Sequence, residues 1–317
     1  MPILPKLFDI NDHTNWKKNL DKNGFVVIKN ILSNTEQIDY ISQFKSDLNT
    51  VSPNLDCEDK ATWTIENSPM MFHKGMCIFN GFGQCDFMWK LRTNNNIIDI
   101  YRKLHNTDSL CVSLDGFSVF LSNKQKTKSW LHIDQNPSNP IYSIQGAYNF
   151  NRVGPHDAGF VVVPRSHRTY KPEVTHKRDW IQCGDNEEIE SKASKLLIPA
   201  NCFTLWNSKL IHCNTNISKP PTTPLTQNTQ STQNKIEFNR LTCYITYLPK
   251  KYRPENVLEK RILAYKNGET TSHWANKCEL KRYPWGFGKR YEERGFNRIT
   301  PTLDNDNGIP QDRMALI

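Results

Sequence analysis

The side chains with chemistry to offer first come together in Trp130-Leu-His-Ile-Asp-Gln135. On a β-strand, residues i and i+2 share a face, so His132 and Asp134 present an imidazole and a carboxylate side by side. His212 is the best candidate for a second histidine. It ends the run Cys202-Phe-Thr-Leu-Trp-Asn-Ser-Lys-Leu-Ile-His212, two apolar pieces around a polar turn. It lies 78 residues beyond Asp134 (212 − 134), enough chain for several intervening strands. Together the three would form a 2-His-1-carboxylate set, which suits non-haem Fe(II) and leaves positions open for substrate and dioxygen. The H-x-D pair alone occurs by chance, and spacing leaves His212 open between a metal ligand and a hydrogen-bonded core histidine.

A carboxylate co-substrate needs a cationic fork, and arginine meets carboxylate oxygens bidentately where lysine cannot. Arg240 opens the strand that follows His212 and can reach the same cavity; its alternative is a strand-end arginine in water. His167, in Asp157-Ala-Gly-Phe-Val-Val-Val-Pro-Arg-Ser-His167, reads as structural. His73, His156, His176 and His273 have no partner at ligand spacing.

The elements that must position these groups are mostly short strands. Gly24-Phe-Val-Val-Ile28 reads as a buried strand, and Ser33-Asn-Thr-Glu36 as a capping box opening a helix of about four turns that ends before Pro53. Phe87 to Leu104 reads as one helix. From Leu110 the texture turns to β. Strand candidates are Leu110 to Leu121, Ser143 to Phe150, Gly159 to Pro164, Leu196 to Ile198, Cys202 to Trp206, Leu210 to Cys213 and Arg240 to Leu248. Many short strands between turn signals predict a sandwich or barrel. The polar run between Cys213 and Lys235 has no hydrophobic periodicity and reads as a surface insertion.

The chain has 317 residues, enough to bury a sizeable core, with a formal net charge of +9. The basic residues are scattered, which favours a solubilising surface. The mix of basic and aromatic residues from Lys281 to Arg294 keeps an oxygenase acting on nucleic acid as an alternative. Nine cysteines without a C-x-x-C predict reduced thiols. With no signal-peptide pattern and no membrane-length apolar run, the expected setting is cytoplasmic. Oligomeric state is left open.

The ordered set of motifs resembles the phytanoyl-CoA dioxygenase-like branch of the Fe(II)/2-oxoglutarate-dependent oxygenases, a subgroup found in fungi, algae and large DNA viruses. The set runs through Asn23-Gly-Phe-Val-Val-Ile28, Phe87-Met-Trp-Lys-Leu-Arg92, Ser113-Leu-Asp-Gly116, Trp130 to Gln135, Gln145-Gly146, Gly159 to His167, Leu205 to His212 and Thr270-Thr-Ser-His-Trp274. The resemblance covers residues from about 20 to about 285. It implies a mainly β fold with flanking helices, a double-stranded β-helix or jelly roll. It implies one domain over residues 1–317, with a core from about 105 to 250 and a helical scaffold from about 20 to 104. The polar insertion at 214–235 and an extension over 251–317 complete it. It implies Fe(II) on His132, Asp134 and His212, and 2-oxoglutarate with its far carboxylate on Arg240 and an aromatic neighbour at Tyr148. Arg240 follows His212 by 28 residues (240 − 212), a longer gap than relatives often show, which the insertion accounts for if it loops out.

The implied activity is hydroxylation of a small-molecule or lipid-like substrate, coupled to conversion of 2-oxoglutarate to succinate and CO2. Related halogenases lack the carboxylate that Asp134 supplies. Candidate substrate-pocket residues are Gln145, Trp130, Trp89, Arg92 and Asp115, with Gln135 supporting Asp134 or the substrate. Each has a plain structural alternative. A catalytically silent jelly roll that binds a ligand is the competing reading of the whole chain.

Overall fold

Strand Phe25–Lys29 is apolar on both faces: Phe25 and Val27 point one way, Val26 and Ile28 the other, and all four are buried. Such a strand needs cover on both sides, and the layers are arranged to provide it. The structure, a computed structural model, describes residues 2–64, 66–72, 75–119, 130–215, 240–281, 297–305 and 308–317.

The strands are β1 (Leu7–Phe8), β2 (Phe25–Lys29), β3 (Met76–Cys77), β4 (Leu110–Val112), β5 (Phe117–Val119), β6 (His132–Ile133) and β7 (Ile144–Asn149). They continue with β8 (Gly159–Val162), β9 (Ile181–Gln182), β10 (Ser194–Lys195), β11 (Cys202–Asn207), β12 (His212–Thr215), β13 (Leu241–Tyr244) and β14 (Tyr247–Pro249). One sheet has the order β1-β2-β11-β7-β13-β5-β3 and a second the order β10-β8-β12-β6-β9; β14 pairs with β4 apart from both. From β5 onward the chain passes back and forth between the two large sheets: β5, β7, β11 and β13 lie in the first, and β6, the consecutive β8, β9 and β10, and β12 in the second. This is the expected double-stranded β-helix, with its pairings antiparallel except for the parallel edge pair of β1 and β2.

Side chains alternate across the first sheet. Phe25, Val27, Ala147, Cys202 and Trp206 face the inside of the roll with Phe160 and Val162 of the second sheet. Val26, Ile28, Tyr148, Phe203, Leu205 and Leu241 face outward, where helices α1 (His13–Asn23), α2 (Asn34–Val51), α3 (Asp86–Arg92) and α4 (Asn95–His105) contribute to the same apolar cluster. Rings knit these layers: Phe117 stands edge-on to Phe44 of α2 at 5.6 Å and to Phe87 of α3 at 5.8 Å. Tyr101 Oη of α4 lies 3.2 Å from Ile144 O and 3.0 Å from Ile245 O, within donating distance of both. Gly146 makes room for that approach, because a Cβ there would stand 2.6 Å from the Tyr101 oxygen and 2.5 Å from Phe203 Cζ.

The capping box opens α2 as expected, with Ser33 Oγ accepting from Glu36 N and the Glu36 carboxylate accepting from Ser33 N. The single helix expected from Phe87 to Leu104 is two helices instead. Asn94 interrupts it, because its side chain accepts from the amides of Asn96 and Ile97 and so caps a new helix. The run Leu110 to Leu121 splits at Asp115-Gly116 into β4 and β5, which belong to different sheets; residues 120 and 121 lie outside the described residues. Arg240 to Leu248 likewise splits into β13 and β14. Leu196 makes only an isolated bridge to Ile3, and the strand there is β10. Asn214 and Thr215 belong to β12, while the rest of the polar insertion, the segment after Lys281 as far as Arg294, and His73 lie outside the described residues. None of the nine cysteines is in a disulfide. No helix among the described residues is long and apolar enough to cross a membrane.

Candidate metal centre

Strands β6 and β12 are antiparallel neighbours, and their register sets His212 directly opposite His132. Asp134 follows two residues after His132, and the three side chains converge. His132 Nε2 lies 3.6 Å from Asp134 Oδ1 and His212 Nε2 lies 3.2 Å from Asp134 Oδ2. One ligand atom from each residue falls within 4.8 Å of the others. The imidazoles are held by their other nitrogen. His132 Nδ1 donates to Trp130 O at 2.9 Å and His212 Nδ1 to Leu210 O at 2.8 Å. A carbonyl oxygen only accepts, so Nδ1 carries a proton in both rings and Nε2 is the edge turned toward Asp134. Metal coordination requires that tautomer, and a backbone carbonyl is the usual partner of a ligating histidine.

Charge agrees with geometry. Burial, helped by the neighbouring His132 ring, lowers the His212 pKa against the pull of Asp134. Burial pushes the Asp134 carboxyl upward, but the His132 and His212 imidazoles outweigh it and hold the group well below the usual carboxylate range. The donor set is therefore a carboxylate with a neutral imidazole at His212.

The residues expected around this centre divide sharply. Gln145, on the inner face of β7, donates from Nε2 to Asp134 Oδ2 at 3.0 Å, so it orients the carboxylate. Trp130 stacks on the His132 ring, with centroids 4.6 Å apart and planes at 24°, and its Nε1 donates to Asn214 O. Gln135 does not support Asp134. Its Nε2 donates to Asn139 O and Ile141 O, which closes the loop after β6. Trp89 and Arg92 are not at the centre either. The Trp89 ring packs against Tyr265 and its Nε1 donates to Gln84, while Arg92 holds Gly83 O and Asp115 O within the helical layer. The buried Asp115 carboxylate accepts from Gly116 N at 2.8 Å as a turn cap, and burial lifts its pKa to about 6. His167 is structural as expected, with Nε2 on Asp21 O at 3.0 Å.

Arg240 lies inside the roll and is 3% exposed. Its Nε donates to Thr242 Oγ1 and its Nη1 to Asn214 Oδ1, both at 2.8 Å. It lines a small cavity of about 10 Å³ with Thr204, Phe160, Trp206 and Tyr244. The Phe160 and Trp206 rings stand 5.5 and 5.7 Å from the His212 ring, so this closed end of the roll adjoins the metal centre. The space holds about one water. Tyr148 does not belong to this end. Odd and even positions of β7 face opposite ways, and Tyr148 points into the helical layer, where its hydroxyl donates to Asn201 Oδ1. The aromatic residue beside Arg240 is Tyr244. Period two from Arg240 through Thr242 to Tyr244 carries that signal in the sequence.

A second, larger cavity of about 660 Å³ opens from Asp134 to the surface, walled by Trp180, Ser272, His273, Trp274, Lys277 and others. Trp180 lies 5.8 Å from the His132 ring and is 49% exposed. His176 and His273, set aside on spacing, both lie on this wall. Burial takes the His273 pKa down to about 4.

No family model matches the chain. The "Ava biosynthesis cluster protein O" of Aspergillus versicolor is 23% identical over 282 residues, which is 81% of this chain and 85% of that protein. Among solved structures, the chain is similar to the epimerase SnoN in complex with Fe3+, alpha ketoglutarate and nogalamycin RO. There the TM-score is 0.48 at 13% identity, over 76% of this chain and 84% of that one. It is similar also to HygX from Streptomyces hygroscopicus with nickel, 2-oxoglutarate and hygromycin B bound, with a TM-score of 0.45 at 15% identity over 74% of this chain and 86% of that one.

Proposed function

We propose that the chain is an Fe(II)- and 2-oxoglutarate-dependent oxygenase of the phytanoyl-CoA dioxygenase-like kind, and that it hydroxylates a small molecule. The observation that carries this is the pair of histidines opposed across β6 and β12, each with its proton fixed on Nδ1 and its Nε2 turned to Asp134. Three protein donors, two nitrogen and one carboxylate, fit iron and leave its other positions to smaller ligands. Iron bound there with 2-oxoglutarate and dioxygen supplies an oxidant able to break a C–H bond, with the 2-oxoglutarate leaving as succinate and CO2.

The chain's own groups do the positioning. Gln145 keeps Asp134 in its ligating orientation. Arg240, charged and buried at the closed end, takes the far carboxylate of 2-oxoglutarate. Trp130 and Trp180 stand against the His132 ring and hold its orientation. Asp134 fills the position through which halide reaches iron in halogenases, which supports hydroxylation. The cavity of about 660 Å³ is of the size that takes a small molecule. Similarity to a protein named for a biosynthesis cluster supports the same substrate class.

The test is to load anaerobically purified protein with Fe(II), add 2-oxoglutarate and oxygen, and measure succinate and iron content in the wild type and His132→Ala. Succinate formation and iron retention that both disappear in the variant are the expected result. A protein that binds no iron and releases no succinate is a silent ligand-binding jelly roll instead.

A further inference from the structure

Of the large apolar side chains left exposed among the described residues, Trp180 is the one that lines the cavity opening from Asp134. Its ring stands beside the metal centre, 5.8 Å from the His132 ring and tilted to it by 36°. The rest of the residue is half-exposed. Single apolar residues on an outer surface need no explanation. A large aromatic ring in a cavity next to metal ligands is different, because it stands where a bound small molecule would cover it.

The ring is set in place from both sides. Asp179, the residue before it, accepts from Asn136 N at 3.2 Å, Asn139 Nδ2 at 3.0 Å and Lys277 Nζ at 2.7 Å. Asn136 Nδ2 donates in turn to His176 O and Arg178 O. Ile181, the residue after it, begins β9 and pairs with Ile133 of β6, next to His132. The segment that carries Trp180 is thus tied to the loop after β6, to Lys277 and to the strand of the ligand His132. Ordering a backbone in this way costs conformational entropy, which the half-exposed ring offsets only in part by its own burial.

Charge decides which ligand suits the indole, since flat rings and cations both settle on it. Apart from the metal ligand Asp134, the cavity wall carries Lys177, Arg178, Lys277 and Lys281 against the carboxylates of Asp179 and Glu279. Lys277 already pairs with both carboxylates, at 2.7 and 3.3 Å. The surplus is positive, so the wall disfavours a cation. We propose that Trp180 is a stacking platform for the substrate, which brings a flat conjugated ring without positive charge against the indole. This rests on the oxygenase reading above and narrows its small molecule to a planar ring compound.

The experiment uses the full chain loaded with Zn(II) and 2-oxoglutarate. The probes are 2-naphthol and decahydro-2-naphthol, which share a carbon skeleton and a hydroxyl group but not planarity, with affinities read by ligand-observed NMR. In the wild type 2-naphthol binds roughly two- to ten-fold more tightly, the worth of one aromatic pair beyond its buried area. Trp180→Leu abolishes that preference while decahydro-2-naphthol still binds, and Trp180→Phe keeps part of it. A third probe, 2-naphthylmethylammonium, binds the wild type more weakly than 2-naphthol. Equal affinity of the first pair in the wild type, a preference that survives in Trp180→Leu, or no binding of any probe overturns the proposal. So does an ammonium that binds as tightly as 2-naphthol. Zinc and 2-oxoglutarate binding are measured separately on the wild type, so a failure of the oxygenase reading appears there and not in the ratio.

Discussion

Replacing Gln145 by leucine keeps the volume of the side chain and removes the amide that donates to Asp134 Oδ2 at 3.0 Å. That oxygen also faces His212 Nε2 at 3.2 Å, while Oδ1 faces His132 Nε2 at 3.6 Å. Without the amide, the carboxylate is free to turn about its Cβ–Cγ bond, and a buried charge-assisted hydrogen bond worth about 1.5–3 kcal/mol is lost. Because roughly 1.4 kcal/mol is a factor of ten, iron affinity should fall about 10- to 100-fold, the range typical of groups that orient a metal ligand. Gln145→Glu should cost more, since a second carboxylate about 3 Å from Asp134 cannot share its ionised state. The assay is anaerobic equilibrium dialysis of Fe(II) against each variant, with urea unfolding of the metal-free protein as a control for folding. An iron Kd within twofold of wild type in Gln145→Leu would refute the reasoning. A normal iron Kd with weakened 2-oxoglutarate binding would move Gln145 from Asp134 to the co-substrate.

Arg240→Lys keeps the charge but loses the fork, and should raise the 2-oxoglutarate Kd about 10- to 100-fold by anaerobic titration calorimetry, with iron content unchanged; an unchanged Kd places the far carboxylate elsewhere. Asp115→Asn should stabilise the protein at about pH 8 by up to about 3 kcal/mol. Burial lifts the folded-state pKa from 3.8 to about 6, so the folded state loses stability as pH rises from about 3.8 to about 6 and carries the full penalty above that. Below about pH 3.8 both states are protonated and the gain should vanish, which urea melts at the two pH values check. Gly146→Ala drives a methyl group against Phe203 and Tyr101 and should cost about 1–3 kcal/mol in the same melts, with no loss if the sheet and α4 can separate there.

Much of the site was legible because its signals are local. His132 and Asp134 share a face by the period of a strand, and the apolar faces of β2 and β11 announce a sheet covered on both sides. The readings that failed depend on which face of an element meets which neighbour. Trp89 and Arg92 are on a helix whose apolar surroundings and fixed hydrogen bonds put them in the scaffold. Tyr148 is one residue out of phase with the inner face that carries Gln145 and Ala147. Gln135 is adjacent to Asp134 in sequence, yet both lie in the bend after β6, where Gln135 turns back to Asn139 O and Ile141 O, and Gln145, eleven positions away, reaches the carboxylate instead. His273 has no local signal, because Asp134 and Asp179, which share the cavity wall with it, come from distant parts of the chain.

By itself, the sequence determined the strand-rich composition, the capped helix before it, and the i, i+2 spacing of the imidazole and carboxylate at His132 and Asp134. Only the tertiary structure decided that His212 stands opposite His132, that Gln145 braces the carboxylate, and that His273 lies on the wall of the cavity that reaches Asp134. Side-chain periodicity follows from backbone geometry over a few residues, whereas strand register and the placement of loops follow from burying apolar surface across the whole chain.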